Sequence, residues 1–225
     1  MLRSVPGWMI ALGLAAGLPA AALAQDTTCR NGLFAQQEGF AQARVSEPRR
    51  TFFYEDMDGC PTRAGALDAC RSNSYVIEGD MLVIGRSLGD FVCAFFPNDV
   101  GGTAGWIRRN RLTILPTDTA PALGRWEGDW TDGAAADVTI LSKDDRTYIL
   151  GNAFWPARPE ENDWPTIHIG EVDGRIAITA NRATYGDDDL CELELTLLRD
   201  FLVIADNRKC GGMNVSFSGV YMRGR

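Results

Sequence analysis

Six cysteines, a single histidine and a surplus of carboxylates are the groups through which this 225-residue chain could do chemistry. The cysteines stand at 29, 60, 70, 93, 191 and 210, an even number with no CxxC pair, so the close thiolate spacing of a zinc site is absent and no metal site is expected. In an oxidising compartment the default chemistry of such thiols is disulfide formation. Cys191 and Cys210 flank a tight connection near Arg199-Asp200 almost symmetrically, and a hairpin there would bring them within bonding range. The remaining four allow three connectivities; the short Cys60–Cys70 loop is the preferred pair, which leaves Cys29 with Cys93.

Catalytic patterns are missing. There is no GxSxG elbow and no SxxK, and Lys143 and Lys209 are the only lysines. The lone imidazole, His168, sits between Ile167 and Ile169 in an alternating stretch, where it reads as an exposed strand residue rather than a base. Adjacent carboxylates at Glu160-Glu161 and at Asp187, Asp188 and Asp189 read as solvated turns, and they lack the alternating ligand spacing of a calcium loop. Gly101, Gly102 and Gly105 precede a Trp-Ile strand and not a helix, so no phosphate-binding loop or dinucleotide fingerprint is present. The chain is therefore read as a non-enzyme that uses no cofactor.

An address precedes the fold. Residues 1–24 carry one early cation, Arg3, then an apolar run broken by Gly13, Gly17 and Pro19, then the small-residue site Ala22-Leu23-Ala24. This is the pattern of a secretory signal peptide cleaved after Ala24, which leaves no membrane span and directs the chain to the periplasm or the exterior. Cys29 lies five positions past Ala24, too far for a lipid-anchored precursor. A net charge of −8 disfavours nucleic acid as a partner.

The elements that would position these groups are strands. Between residues 72 and 115, short apolar runs at 75–77, 81–84, 91–96 and 106–107 are each bounded by Gly, Asp or Asn. The pairing of Gly79-Asp80 before a strand with Gly105-Trp106-Ile107 after a Gly-rich turn resembles the bacterial SH3-like (SH3b) family. That resemblance implies a small barrel over residues 50–115 that acts as a binding module for a wall peptide or a partner protein. Its aromatics, Phe52, Phe53, Tyr54, Tyr75, Phe95, Phe96 and Trp106, could stack on an extended peptide. The candidate ligand-binding residues are Tyr54, Tyr75, Phe96 and Trp106, with Arg108 and Arg109, and Arg111 beyond them, facing a carboxylate. Alternation along 91–96 further predicts that one of Phe95 and Phe96 reaches the surface unless both sheet faces are covered.

Residues 116–123, with two Pro and no periodicity, read as a linker. Charge shifts across it: residues 26–116 hold 10 Lys/Arg against 11 Asp/Glu, and residues 117–225 hold 11 against 19, so the acidic excess belongs to the second half. About eight strands are expected there, at 125–130, 137–141, 147–155, 166–172, 175–181, 190–198, 201–205 and 215–222, with hairpin turns at 143–146 and at Asp173-Gly174. Sequential hairpins close most simply into an up-and-down antiparallel barrel over 124–225, with a sandwich as the alternative. The fold class is all-β. Gly124-Arg125-Trp126 resembles the GxW of lipocalin-like barrels, which implies Trp126 packed under Arg223. Ser218-Gly219-Val220-Tyr221 is similar, one residue short, to the Ser-Gly-x-x-Tyr of acidic barrels that inhibit lysozymes, which implies a cationic protein partner. An eight-stranded barrel could also enclose a small ligand as a carrier. Residues 25–49 carry no clear pattern beyond a short helix around 33–43 covering an edge of the first barrel.

Overall fold

The computed structural model describes residues 28–57, 59–62, 67–98, 101–156, 167–186 and 190–224. The expected signal peptide and the acidic runs at 160–161 and 187–189 lie outside these residues. The fold is all-β. Seven strands, β1 (Ala41–Val45), β2 (Thr51–Tyr54), β3 (Arg71–Val76), β4 (Met81–Leu88), β5 (Phe91–Phe96), β6 (Thr103–Arg108) and β7 (Leu112–Ile114), form one antiparallel sheet in the order β3-β2-β6-β5-β4-β1-β7. The Gly79-Asp80 pair makes the turn into β4: Gly79 takes φ +94°, and the Asp80 carboxylate accepts from the Ile77 N–H at 2.8 Å. The sheet begins at Ala41, ahead of residue 50, because Ala41–Val45 pairs with β4 and β7. Around residues 33–43 the chain makes only a 3-10 turn, Phe34–Gln36, before β1, and not the expected helix.

Both faces of this sheet are buried. Inward residues Ala43, Phe53, Leu82, Ile84, Val92, Ala94 and Ile107 form one cluster, so the sheet curls around it. Outward residues Val83, Phe91, Cys93, Phe95 and Trp106 form a second cluster with Cys29, Phe34 and Ala35 of the N-terminal segment and with Leu198, Phe201, Val203 and Val220 of the second half. Because both faces are covered, neither Phe95 nor Phe96 is left at the surface: Phe95 is buried in the outer cluster and Phe96 packs half-buried on the inner one. Polar groups seal this junction. The buried Gln42 side chain donates to the Asp200 carboxylate at 2.6 Å and accepts from the Asp200 N–H at 3.2 Å. Gln36 donates to the Asp206 carbonyl at 3.1 Å and to the Ser218 hydroxyl at 2.8 Å.

The second half is a closed barrel and not a sandwich. Strands β8 (Gly128–Thr131), β9 (Ala136–Lys143), β10 (Arg146–Pro156), β11 (Ile167–Thr179), β12 (Arg182–Gly186), β13 (Glu192–Leu197), β14 (Phe201–Asp206) and β15 (Gly219–Arg223) pair each with the next, and β15 returns to β8. The strand count agrees with expectation, but the strands differ. Segments 166–172 and 175–181 are one strand that runs through Asp173-Gly174, with Leu150 opposite Asp173 and Ile149 opposite Gly174. Gly174 is not a turn residue. A Cβ there would lie 2.9 Å from the Tyr185 ring, so the glycine makes room for an internal tyrosine. The chain reverses instead at Ala180 (φ +59°), and β12, absent from the sequence reading, is the eighth strand. At 143–146 the connection is a two-residue turn, with Asp144 and Asp145 at φ +50° and +58° between the paired Lys143 and Arg146.

Side chains fill the barrel: Trp126, Trp130, Ile140, Ile149, Tyr185, Leu193, Phe217 and Tyr221 belong to one buried cluster. Trp126 does not stack under Arg223. Arg223 is the register partner of Trp130, lies 4.1 Å over that ring, and donates to the carbonyls of Arg125 and Glu127. Disulfides join Cys29 to Cys93, Cys60 to Cys70 and Cys191 to Cys210.

Two stability measurements follow from these contacts. Gln42→Ala deletes both bonds between the buried Gln42 side chain and the exposed Asp200 and should lower unfolding free energy by about 1 kcal/mol in denaturant titration; an unchanged midpoint would show that the junction does not depend on them. The buried Tyr221 hydroxyl donates to the Phe217 carbonyl at 2.7 Å, and burial, reinforced by Asp132, Asp206 and Asp137, holds its pKa well above that of a free tyrosine. A raised folded-state pKa means that the neutral phenol contributes stability below the unfolded value of about 10 and that this contribution is lost as pH rises beyond it. Tyr221→Phe should therefore flatten the fall in stability above about pH 10.

Candidate functional site

The outer face of the first sheet is covered by the second half only in part. Toward its β3 edge, arginines and aromatic rings interleave. Phe52 on β2 stands directly opposite Tyr75 on β3, their rings edge-on at 5.8 Å. Arg50 lies 4.3 Å over the Tyr75 ring and Arg71 lies 4.9 Å over Phe52, so the order across the surface is Arg50, Tyr75, Phe52, Arg71. Tyr54, two residues along the same face of β2, meets Phe91 edge-on at 5.3 Å, and Arg108 lies 5.2 Å over Phe91. Tyr75 is 41% exposed, and Phe52 and Tyr54 are half-buried.

Of the six residues expected at a ligand surface, the structure brings Tyr54, Tyr75 and Arg108 to this strip. Trp106 is fully buried in the outer cluster with Arg86 stacked 4.7 Å over its ring, because the N-terminal segment and the barrel wall cover it. Phe96 faces the inner cluster, on the opposite side of the sheet. Arg109 turns away and donates to the Ser87 hydroxyl at 2.7 Å, and Arg111 is ion-paired with Glu47. The strip adds Arg50 and Arg71, which the sequence reading did not single out. A signal for them existed: Arg50 precedes the strand on which Phe52 and Tyr54 alternate, in step with them, and Arg71 and Tyr75 stand four positions apart on the next strand, an even separation that puts both on one face.

A guanidinium stacked on a ring keeps its N–H edge directed away from the ring plane, and stacking holds it in a defined orientation. None of Arg50, Arg71 or Arg108 forms an ion pair among the described residues. The strip thus offers apolar ring surface and several oriented cations, a combination suited to an extended ligand bearing carboxylates.

Elsewhere, the groups that looked chemically interesting are structural. Ser218 bonds the buried Asp206 carboxylate at 2.8 Å, Ser216 and the Phe217 N–H bond it at 3.1 and 2.7 Å, and Tyr221 is internal, so the Ser218–Tyr221 stretch braces β14 against β15. His168 is half-buried, not exposed: β11 turns His168, Gly170 and Val172 inward here, and the exposed neighbours are Ile167 at 58% and Ile169 at 63%. The cause is the 210–215 loop, which sits so close that a Cβ on Gly170 would lie 2.3 Å from the Cys210 carbonyl oxygen. Between the Gln36–Phe34 turn and the outer surfaces of β12, β13 and β14 lies a cleft of about 560 Å³ whose lining includes Glu38, Glu192 and Glu194. Among the described residues no cluster of His, Cys, Asp and Glu has metal-binding geometry, and no helix is long and apolar enough to cross a membrane. No family model, curated protein or solved structure matches this chain.

Substitution separates the buried ring from the surface rings. Trp106→Ala should cost about 3–5 kcal/mol in unfolding free energy, whereas Tyr75→Ala should cost about 0.5 kcal/mol; comparable losses for the two would contradict the assignment of Tyr75 to the surface.

Proposed function

We propose that this chain is a secreted or periplasmic, non-catalytic binding protein whose first sheet, similar to SH3-like modules, contacts an extended acidic peptide of the cell wall. The observation that carries this reading is the exposed order Arg50, Tyr75, Phe52, Arg71 at the sheet edge. Peptides of the wall carry free carboxylates on a flexible backbone, and oriented guanidinium groups beside flat rings suit both parts of such a ligand. The three disulfides accord with export to an oxidising compartment, as the signal-peptide pattern of residues 1–24 requires.

A second reading rests on a separate observation. The cleft lined by Glu38, Glu192 and Glu194 gives an acidic protein a concave, negatively charged surface for a cationic enzyme such as a lysozyme. Ser218 and Tyr221 support the strands behind this surface, through the Asp206 carboxylate and the Phe217 carbonyl.

Retention on purified wall sacculi tests the first reading. Wild-type protein should be retained in a salt-sensitive manner, and an Arg50→Ala/Arg71→Ala/Tyr75→Ala variant should lose most of that retention while keeping its thermal midpoint. Equal retention of variant and wild type would refute the role of the strip. Inhibition of lysozyme at low salt, abolished by Glu192→Gln/Glu194→Gln but not by the arginine substitutions, would favour the second reading in its place.

A further inference from the structure

At the end of the barrel near Trp126, a cleft of about 330 Å³ opens between the 3-10 turn Leu123–Arg125, the β9–β10 turn and the last residues of β11. Its lining is mostly polar but carries an apolar patch: Leu123 is 46% exposed, Ile178 is half-buried, and both line the opening. Trp126, fully buried, contributes to the lining, and its indole N–H finds no acceptor among the described residues. A buried N–H without an acceptor is uncommon and marks a position where a further polar group would be accommodated. Two cations stand at the rim, Arg146 at the start of β10 and Arg175 on β11, both exposed and neither paired with a carboxylate among the described residues. Asp145 is the one acidic residue in the lining, so the rim keeps a net positive charge on the more acidic half of the chain.

We propose that this cleft binds a small amphipathic anion: an apolar body seated against Leu123 and Ile178, with one carboxylate or sulfonate held by Arg146 and Arg175. The volume falls within the range of about 300–1,000 Å³ typical of small-molecule sites, and barrel mouths are among their common positions. Guanidinium groups bind such oxyanions through paired N–H donors, and two unpaired guanidiniums give up no existing ion pair on binding. The site lies outside the filled interior, so it needs no cavity in the barrel core. It is independent of the arginine–aromatic strip on the first sheet.

The probe is 8-anilinonaphthalene-1-sulfonate, an aromatic anion of suitable size, titrated into the ¹⁵N-labelled mature protein. The expected result is a shift of the Trp126 indole N–H resonance with a dissociation constant on the order of 10–100 µM. Arg146→Ala/Arg175→Ala should weaken binding at least about tenfold, and Leu123→Ala on its exposed turn should weaken it several-fold. Trp155 is 47% exposed at the opposite end of β10, beside the apolar residues Phe154, Ile167 and Ile169, and it serves as the internal control. A shift at Trp155 without one at Trp126, no shift at all, or an affinity unchanged by the arginine pair would overturn the proposal.

Discussion

Strands β4, β5 and β6 are apolar on both faces, and this constraint organises the whole molecule. Leu82, Ile84, Val92, Ala94 and Ile107 point one way, and Val83, Phe91, Cys93, Phe95 and Trp106 point the other. A seven-stranded sheet can curl to bury one set but has nothing of its own to put over the second. The N-terminal segment and the wall of the barrel supply that cover, so the two halves share a core although each has its own sheet. The polar contacts at the junction follow from the same geometry: once Phe201 and Val203 lie against the sheet, the Gln42 side chain is buried and needs partners, which the exposed Asp200 at its edge supplies.

What remains exposed is set by where this cover stops. The barrel shields Trp106 and Cys93 at the centre of the outer face but does not extend to the β3 edge, where Tyr75 and Phe52 stand between Arg50 and Arg71. An aromatic edge left bare would invite aggregation, and flanking arginines keep such a surface soluble while leaving the rings accessible. The arginines therefore serve fold and recognition together. In the barrel, by contrast, the interior is occupied by tryptophan, tyrosine and branched side chains, and contact with small molecules is left to its mouth.

Much of this was legible in the residue pattern. The all-β class, the antiparallel barrel of the second half, the exposed glutamates of β13 against its buried leucines, and the disulfide between Cys191 and Cys210 all follow from alternation and spacing, whereas the count of eight strands agrees only because splitting β11 offset the missing β12. Errors arose where one local signal had two physical meanings. Asp-Gly at 173–174 has the composition of a hairpin turn, yet glycine is there to admit the Tyr185 ring from across the barrel, a contact between residues that no local window contains. His168 looked exposed because its neighbours are isoleucines, but the 210–215 loop covers the histidine side of the strand and leaves the isoleucines outside.

The candidate site divides in the same way. Sequence alone determined that Phe52 and Tyr54 share a strand face, since side-chain alternation is a property of the extended backbone itself. It determined too that the chemistry is that of rings, cations and oxidised thiols, because residue types are fixed before folding. Only the tertiary structure decided which rings are available: Trp106 and Tyr75 are both aromatic residues on strands of one sheet, and the difference between a fully buried and a 41% exposed side chain lies in where a barrel some hundred residues later in the chain comes to rest. Burial is a property of surfaces brought together over long sequence separations, and no short-range pattern encodes it.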